Sequence, residues 1–124
     1  KNTVAAARAA GVAVGAHPGY PDVVGFGRRG MVCSADELYT DVLYQVGALK
    51  AFCEAGGLKL QHVKPHGAMY NSAAKKLEEA MAIAQAVKDA LQEMKQAQML
   101  QGFLKDQMPA AESGLRIFQH MAGQ

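Results

Sequence analysis

Val12-Ala-Val-Gly-Ala-His17-Pro-Gly-Tyr-Pro-Asp22 and Leu58-Lys-Leu-Gln-His62-Val-Lys64-Pro-His66-Gly-Ala-Met-Tyr70-Asn71 decide how this chain folds. Each stretch runs from short and apolar into a His-Pro or Pro-His step, then a glycine, then a tyrosine. Apolar runs of this length bounded by Gly and Pro suit buried strands, here Val12 to Ala16 and Leu58 to Lys64. Helical patterns surround them. Asn2 to Ala10 is Ala-rich and closes on Gly11, a helix end of the kind glycine provides. Ser34-Ala-Asp-Glu37 is a capping box, and Leu38, Val42, Val46, Leu49 and Cys53 follow at helical spacing until Gly56-Gly57. Asn71 or Ser72 is expected to cap a third helix with Leu77, Ala80, Met81, Ala84, Val87 and Leu91 on its inner face. Strands alternating with helices imply a parallel sheet with right-handed crossovers, and so an α/β protein. Two strands are too few for a sheet buried on both faces, which points to a section of a larger α/β domain.

Composition narrows the function classes. Half of the 124 residues are hydrophobic, 19% are charged, and 13 Lys+Arg against 11 Asp+Glu leave a net charge of +2. That balance disfavours a disordered polymer and a nucleic-acid-binding tail. No apolar run reaches the roughly 18 to 20 residues of a membrane helix, and the start lacks a secretory pattern. Cys33 and Cys53 have neither metal-ligand spacing nor a secretory context, so reduced thiols and a cytoplasmic location are expected. Ten of the 13 glycines lie at or before Gly67, whereas Ile117 is the only β-branched residue after Val87. The expected organisation is therefore an α/β section over 1–90 with two strand-end loops, followed by a helical tail over 91–124.

Chemistry concentrates in the two loops. Loops at the carboxyl ends of parallel strands are where α/β folds hold ligands. A histidine placed there twice, at His17 and His66, favours acid/base work, metal ligation or substrate binding over a loop tie. Asp22 is a candidate to orient a histidine or activate water. Lys64, at the end of the second strand, is expected to aim its ammonium at the mouth of the sheet, where it would bind a carboxylate or phosphoryl group or stabilise an oxyanion. His62 lies two residues earlier on the same side of the pleat and reads as a packed, supporting histidine. Tyr70 and Asn71 close the second loop as candidate substrate contacts. Gly25-Phe-Gly27-Arg28-Arg29-Gly30 matches G-x-G-x-x-G but follows a proline-containing loop and opens no helix, so a dinucleotide site is rejected. Its amides and the guanidinium groups of Arg28 and Arg29 remain candidates for binding an anion.

Four motifs in order, Gly11 to Asp22, Gly25 to Arg29, Leu43-Tyr-Gln-Val-Gly-Ala-Leu49 and His62 to Asn71, closely resemble the LamB/YcsF family, the group of 5-oxoprolinase A subunits. The resemblance implies an irregular (β/α) barrel similar to the polysaccharide deacetylases. It also implies a protein that works with 5-oxoprolinase subunits B and C to open 5-oxo-L-proline to L-glutamate at the expense of ATP. On that basis His17, His66 and Asp22 serve proton transfer or hold a divalent metal, and Lys64 and Arg29 bind anions. The family's acidic Asn-x-Asp-x-Gly-Glu strand and its Cys-Gly-x-His-x-Gly-Asp strand would precede Lys1, and the segment after about Leu91 is read as departing from the pattern. A complete barrel takes about 200 residues or more, so the chain is expected to be a section of such a protein. Two rival readings exist. One is a metal-dependent amide or ester hydrolase with His17 and His66 as ligands. The other is a non-catalytic assembly piece that packs Ala97, Leu100, Leu104 and Met108 on another chain, with self-association as one form.

Overall fold

The computed structural model describes residues 1–91, and Lys1–Ala90 forms one compact unit. Helix α1 spans Asn2–Ala10 and ends at Gly11 in the left-handed conformation, φ 66°, with the Gly11 and Val12 amides donating to the Arg8 and Ala7 carbonyls. Strand β1 is Val14–Ala16, starting two residues later than expected but ending where expected, and β2 is Leu60–Val63, shorter at both ends than its apolar run. They pair in parallel, Val14 with Leu60 and Ala16 with Val63, with an irregularity after Val14. The alternating pattern therefore yields the parallel sheet it implies.

Between the strands runs α2, Ala35–Ala55. Its start is the capping box: the Glu37 amide donates to the Ser34 hydroxyl, and the Glu37 carboxylate accepts from the Ser34 amide. The first four amides of a helix lack intrahelical partners, and two of that terminus's donors are satisfied here. Leu38, Val42, Val46 and Cys53 are buried at helical spacing, and the same face pulls in Lys50. With Ala16, Tyr20 and Met69, the three aliphatic residues form the core beneath the sheet. Cys33 and Cys53 are both free, and burial pushes the thiols upward in pKa.

After β2 the chain departs from the expected capping. Asn71 and Ser72 lie inside a short helix, α3, Gly67–Ala73, and the next helix, α4, begins at 77. The expected inner face of α4 is corrected in part, since Val87 packs against the core as expected while other residues of that face do not. Leu77, Met81 and Leu91 are exposed, while Ile83, Ala86 and Ala90 are buried against the core. Two polar contacts set that rotation. The Tyr39 hydroxyl donates to Asp89 at 2.7 Å, and the Lys50 ammonium donates to the Ala90 carbonyl at 2.7 Å.

Lys50 is 8% exposed and 3.9 Å from Glu54, so its charge rests chiefly on that carbonyl. Lys50→Met keeps the packed stem and removes the donor. The expected loss is about 1–3 kcal/mol, read as a lower midpoint in denaturant unfolding; an unchanged midpoint would show that the contact contributes nothing. No helix among the described residues is long and apolar enough to cross a membrane. The Ala97, Leu100, Leu104 and Met108 stripe lies outside the described residues.

Candidate functional site

Parallel pairing continues past the strands and joins the two loops. The Lys64 amide donates to the Ala16 carbonyl at 2.9 Å and the His66 amide to the Pro18 carbonyl at 2.8 Å. Both histidines are thereby carried to the same end of the sheet. Gln45 of α2 holds the first loop: its side-chain oxygen accepts from the Gly19 amide at 3.1 Å and its nitrogen donates to the Gly19 carbonyl at 3.0 Å. A side-chain amide that matches both backbone groups of one residue acts as a short piece of added strand.

His17 and His66 meet. The rings lie edge to face with centroids 4.8 Å apart, and His66 Nδ1 is 3.1 Å from His17 Nε2. Each outer nitrogen is taken by a backbone carbonyl: His17 Nδ1 by Lys64, and His66 Nε2 by Phe26 at 2.6 Å. The Phe26 carbonyl is aimed at His66 because Phe26 itself has φ 55°, a conformation that non-glycine residues rarely take, followed by Gly27 at 67°. Strain of this sort collects at working sites. The Gly27 carbonyl in turn accepts from the Ala68 amide at 3.0 Å. The two loops thus lock each other through backbone atoms.

The pair opens on a cleft of about 820 Å³, whose lining includes Tyr20, Phe26, Arg28, Asp41, Tyr44 and Gln45. That is a volume suited to a small-molecule ligand. Arg28 reaches it from the first loop and Asp41 and Tyr44 from α2, so the cleft carries charge of both signs.

Asp22 and Arg29 take different parts from those expected. Asp22 is buried and spoken for: Arg29 grips it in bidentate fashion, with Nε to Oδ2 at 2.9 Å, and the Gly25 amide donates to Oδ1 at 2.9 Å. The Arg29 guanidinium, with help from the Gly25 amide, lowers the Asp22 carboxyl to about 2. The carboxylate oxygens of Asp22 are held by Arg29 and the Gly25 amide rather than by a histidine, although the residue lies at the cleft wall. It shapes the loop. Arg29 is correspondingly committed to Asp22 and is raised in pKa by the same contact, which leaves Arg28 as the arginine in the cleft. Gly25 sits so close over this pair that a β-carbon would collide with the Asp22 carboxylate.

The ion pair makes a pH prediction. A carboxyl with a lowered folded-state pKa stabilises the fold above its unfolded value, and that contribution fades as pH falls from about 3.8 toward about 2. Wild type should exceed Asp22→Asn in thermal midpoint at neutral pH, and the gap should shrink through that window. A gap independent of pH would contradict the role given to Asp22.

Lys64 contributes its backbone to the pair, but its ammonium lies 5.9 Å over the Tyr70 ring rather than in the cleft. Tyr70 and Asn71 sit on α3 and likewise do not line the cleft. His62 is exposed, contacts Gln61 at 3.1 Å, and lies across Gly15, so it is not packed as expected. Among the described residues no three His, Cys, Asp or Glu side chains converge as metal ligands. His17 and His66 together supply two of the three or more protein donors usual for a bound divalent ion.

A parallel βα arrangement with a histidine pair on strand-end loops defines an α/β protein whose candidate site lies at the carboxyl edge of its sheet. The chain belongs to the LamB/YcsF family, whose model matches residues 1–122. That match extends beyond the Gly11 to Asn71 motifs and across the segment after Leu91, whereas the alignments to individual relatives cover 82 to 89 residues. The chain is 63% identical over 89 residues to the 5-oxoprolinase A subunit of Symbiobacterium thermophilum, covering 72% of this chain and 34% of that one. It is 66% identical over 82 residues to the 5-oxoprolinase A subunit of Thermus thermophilus, covering 66% and 33%. A crystal structure of a lactam utilization protein from Thermus thermophilus superposes with a TM-score of 0.69 at 62% identity, covering 71% of this chain and 36% of that one. The chain therefore spans about a third of the length of the curated relatives it matches.

Proposed function

We propose that this chain is a section of the A subunit of an ATP-dependent 5-oxoprolinase, a cytoplasmic hydrolase that opens the lactam of 5-oxo-L-proline to L-glutamate with subunits B and C. The reading is carried by the backbone-anchored His17–His66 pair at the edge of a cleft, in a chain 60–66% identical to proteins of that name. In this proposal residues 1–90 form part of an irregular (β/α) barrel of the deacetylase-like kind, and 91–124 form a helical tail.

A five-membered lactam is a poor electrophile because its nitrogen lone pair is shared with the carbonyl. ATP, when bound, supplies the phosphoryl group that draws electrons from the carbonyl, makes its carbon open to water, and is released as phosphate after the ring nitrogen has departed. What the chain must then provide is orientation, a cation for carboxylate or phosphate, and proton transfer to and from water and the ring nitrogen. Arg28 supplies the cation in the cleft, where its fork can take a carboxylate in bidentate fashion. His17 and His66 move the protons. Lys64, with its ammonium over the Tyr70 ring, offers a second cation outside the cleft lining, suited to an anionic part of a longer ligand such as a nucleotide, and Asn71 is proposed as a further contact to it.

The test uses the full-length protein assembled with its partners and measures lactam opening with and without ATP. Activity that needs both ATP and the partners supports the proposal. Hydrolysis of amides or esters without ATP, restored by a divalent metal, would replace it with the deacetylase-type reading.

A further inference from the structure

We infer that His17 and His66 hold a single proton between them and act as one acid/base unit. The two backbone carbonyls fix where the other ring hydrogens must be. A carbonyl oxygen cannot donate, so the Lys64 carbonyl requires a hydrogen on His17 Nδ1, and the Phe26 carbonyl requires one on His66 Nε2. In two neutral rings the remaining nitrogens, His17 Nε2 and His66 Nδ1, would both be bare acceptors. Those are the two atoms that face each other at 3.1 Å. Two lone pairs at hydrogen-bond distance repel, whereas one proton between them makes a charge-assisted hydrogen bond. The pair therefore carries one positive charge shared by two rings, and neither ring must leave its carbonyl for the proton to move.

The surroundings tolerate that charge. The Asp22–Arg29 ion pair behind the first loop is neutral as a unit, Arg28 and Asp41 bring opposite charges to the cleft, and the Lys64 ammonium is turned onto Tyr70. Use of the proton in lactam opening rests on the function proposed above. There, as the C–N bond breaks and its electron pair moves to nitrogen, the pair gives its proton to that nitrogen. The water that adds to the carbonyl carbon sheds a proton as its O–C bond forms, and this proton restores the pair. The acyl phosphate left by C–N cleavage is then split by a second water into carboxylate and inorganic phosphate.

The shared proton is measurable without any substrate, by nitrogen-15 NMR of the whole protein labelled at histidine, near neutral pH. The expected result is a through-hydrogen-bond coupling between His17 Nε2 and His66 Nδ1 and one strongly downfield proton. His66→Gln should remove both signals while the His17 Nδ1 hydrogen stays on the Lys64 carbonyl. Two uncoupled rings, each with a bare inner nitrogen, would overturn the inference. So would one equivalent of Zn²⁺ retained through purification on those two nitrogens. Coupling in a protein that fails to open lactams would uphold the shared proton and remove the proposed function, so the two failures are separable.

Discussion

His66→Ala in the whole enzyme is expected to lower the rate of ATP-dependent lactam opening by about 10²- to 10⁴-fold, the range that positioned acid/base groups supply. The substitution removes one half of the proton-holding pair and also the donor that satisfies the Phe26 carbonyl. A companion His66→Gln separates those effects. Its side-chain amide can still donate to that carbonyl, but it cannot carry a proton to a departing nitrogen. If chemistry is lost through the proton, both variants are slow and only the Ala variant has a disturbed loop. Full activity in His66→Gln would confine His66 to holding the loop, and the site would have to be sought elsewhere in the protein.

The features legible in the sequence share a physical cause. Ser34 and Glu37 make a capping box through contacts three residues apart, and Gly11 ends α1 through its own backbone angle, so both are encoded locally. Strand-end histidines are legible because a parallel sheet places its loops predictably. What escapes depends on atoms that sequence does not distinguish. The carbonyls of Phe26 and Lys64 anchor the histidine pair, and every residue has a carbonyl. Gln45 clamps Gly19 from 26 residues away, a distance at which an ordinary helix glutamine gives no sign. Asp22 and Arg29 each stand out as charged residues of interest, but their partnership depends on the turn that Gly25 permits between them. The inner face of α4 escapes for a related reason. Apolar periodicity favours Leu77 and Met81, while the buried face is set by contacts to Tyr39 and Lys50 on α2.

Gly67→Ala tests whether the two loops must interlock for the site to exist. Gly67 has φ 58°, which costs a residue with a β-carbon about 1–2 kcal/mol. An added β-carbon would also stand 2.6 Å from the Gly27 carbonyl oxygen, and that neighbour is backbone, which cannot swing aside as a side chain can. Relief requires the second loop to withdraw from the first. Withdrawal breaks the bond from the Ala68 amide to the Gly27 carbonyl, for a further loss of about 1–3 kcal/mol. It also pulls His66 away from the Phe26 carbonyl and from His17. The expected outcome is a clear drop in the unfolding midpoint together with loss of the coupling between the two imidazoles. Gly30→Ala is the control, because a β-carbon there meets nothing within 4 Å and should change neither quantity. A Gly67→Ala protein with wild-type stability and an intact histidine pair would mean that the loops are held in place by the strands alone, and the locking role given to Gly27 and Gly67 would fall.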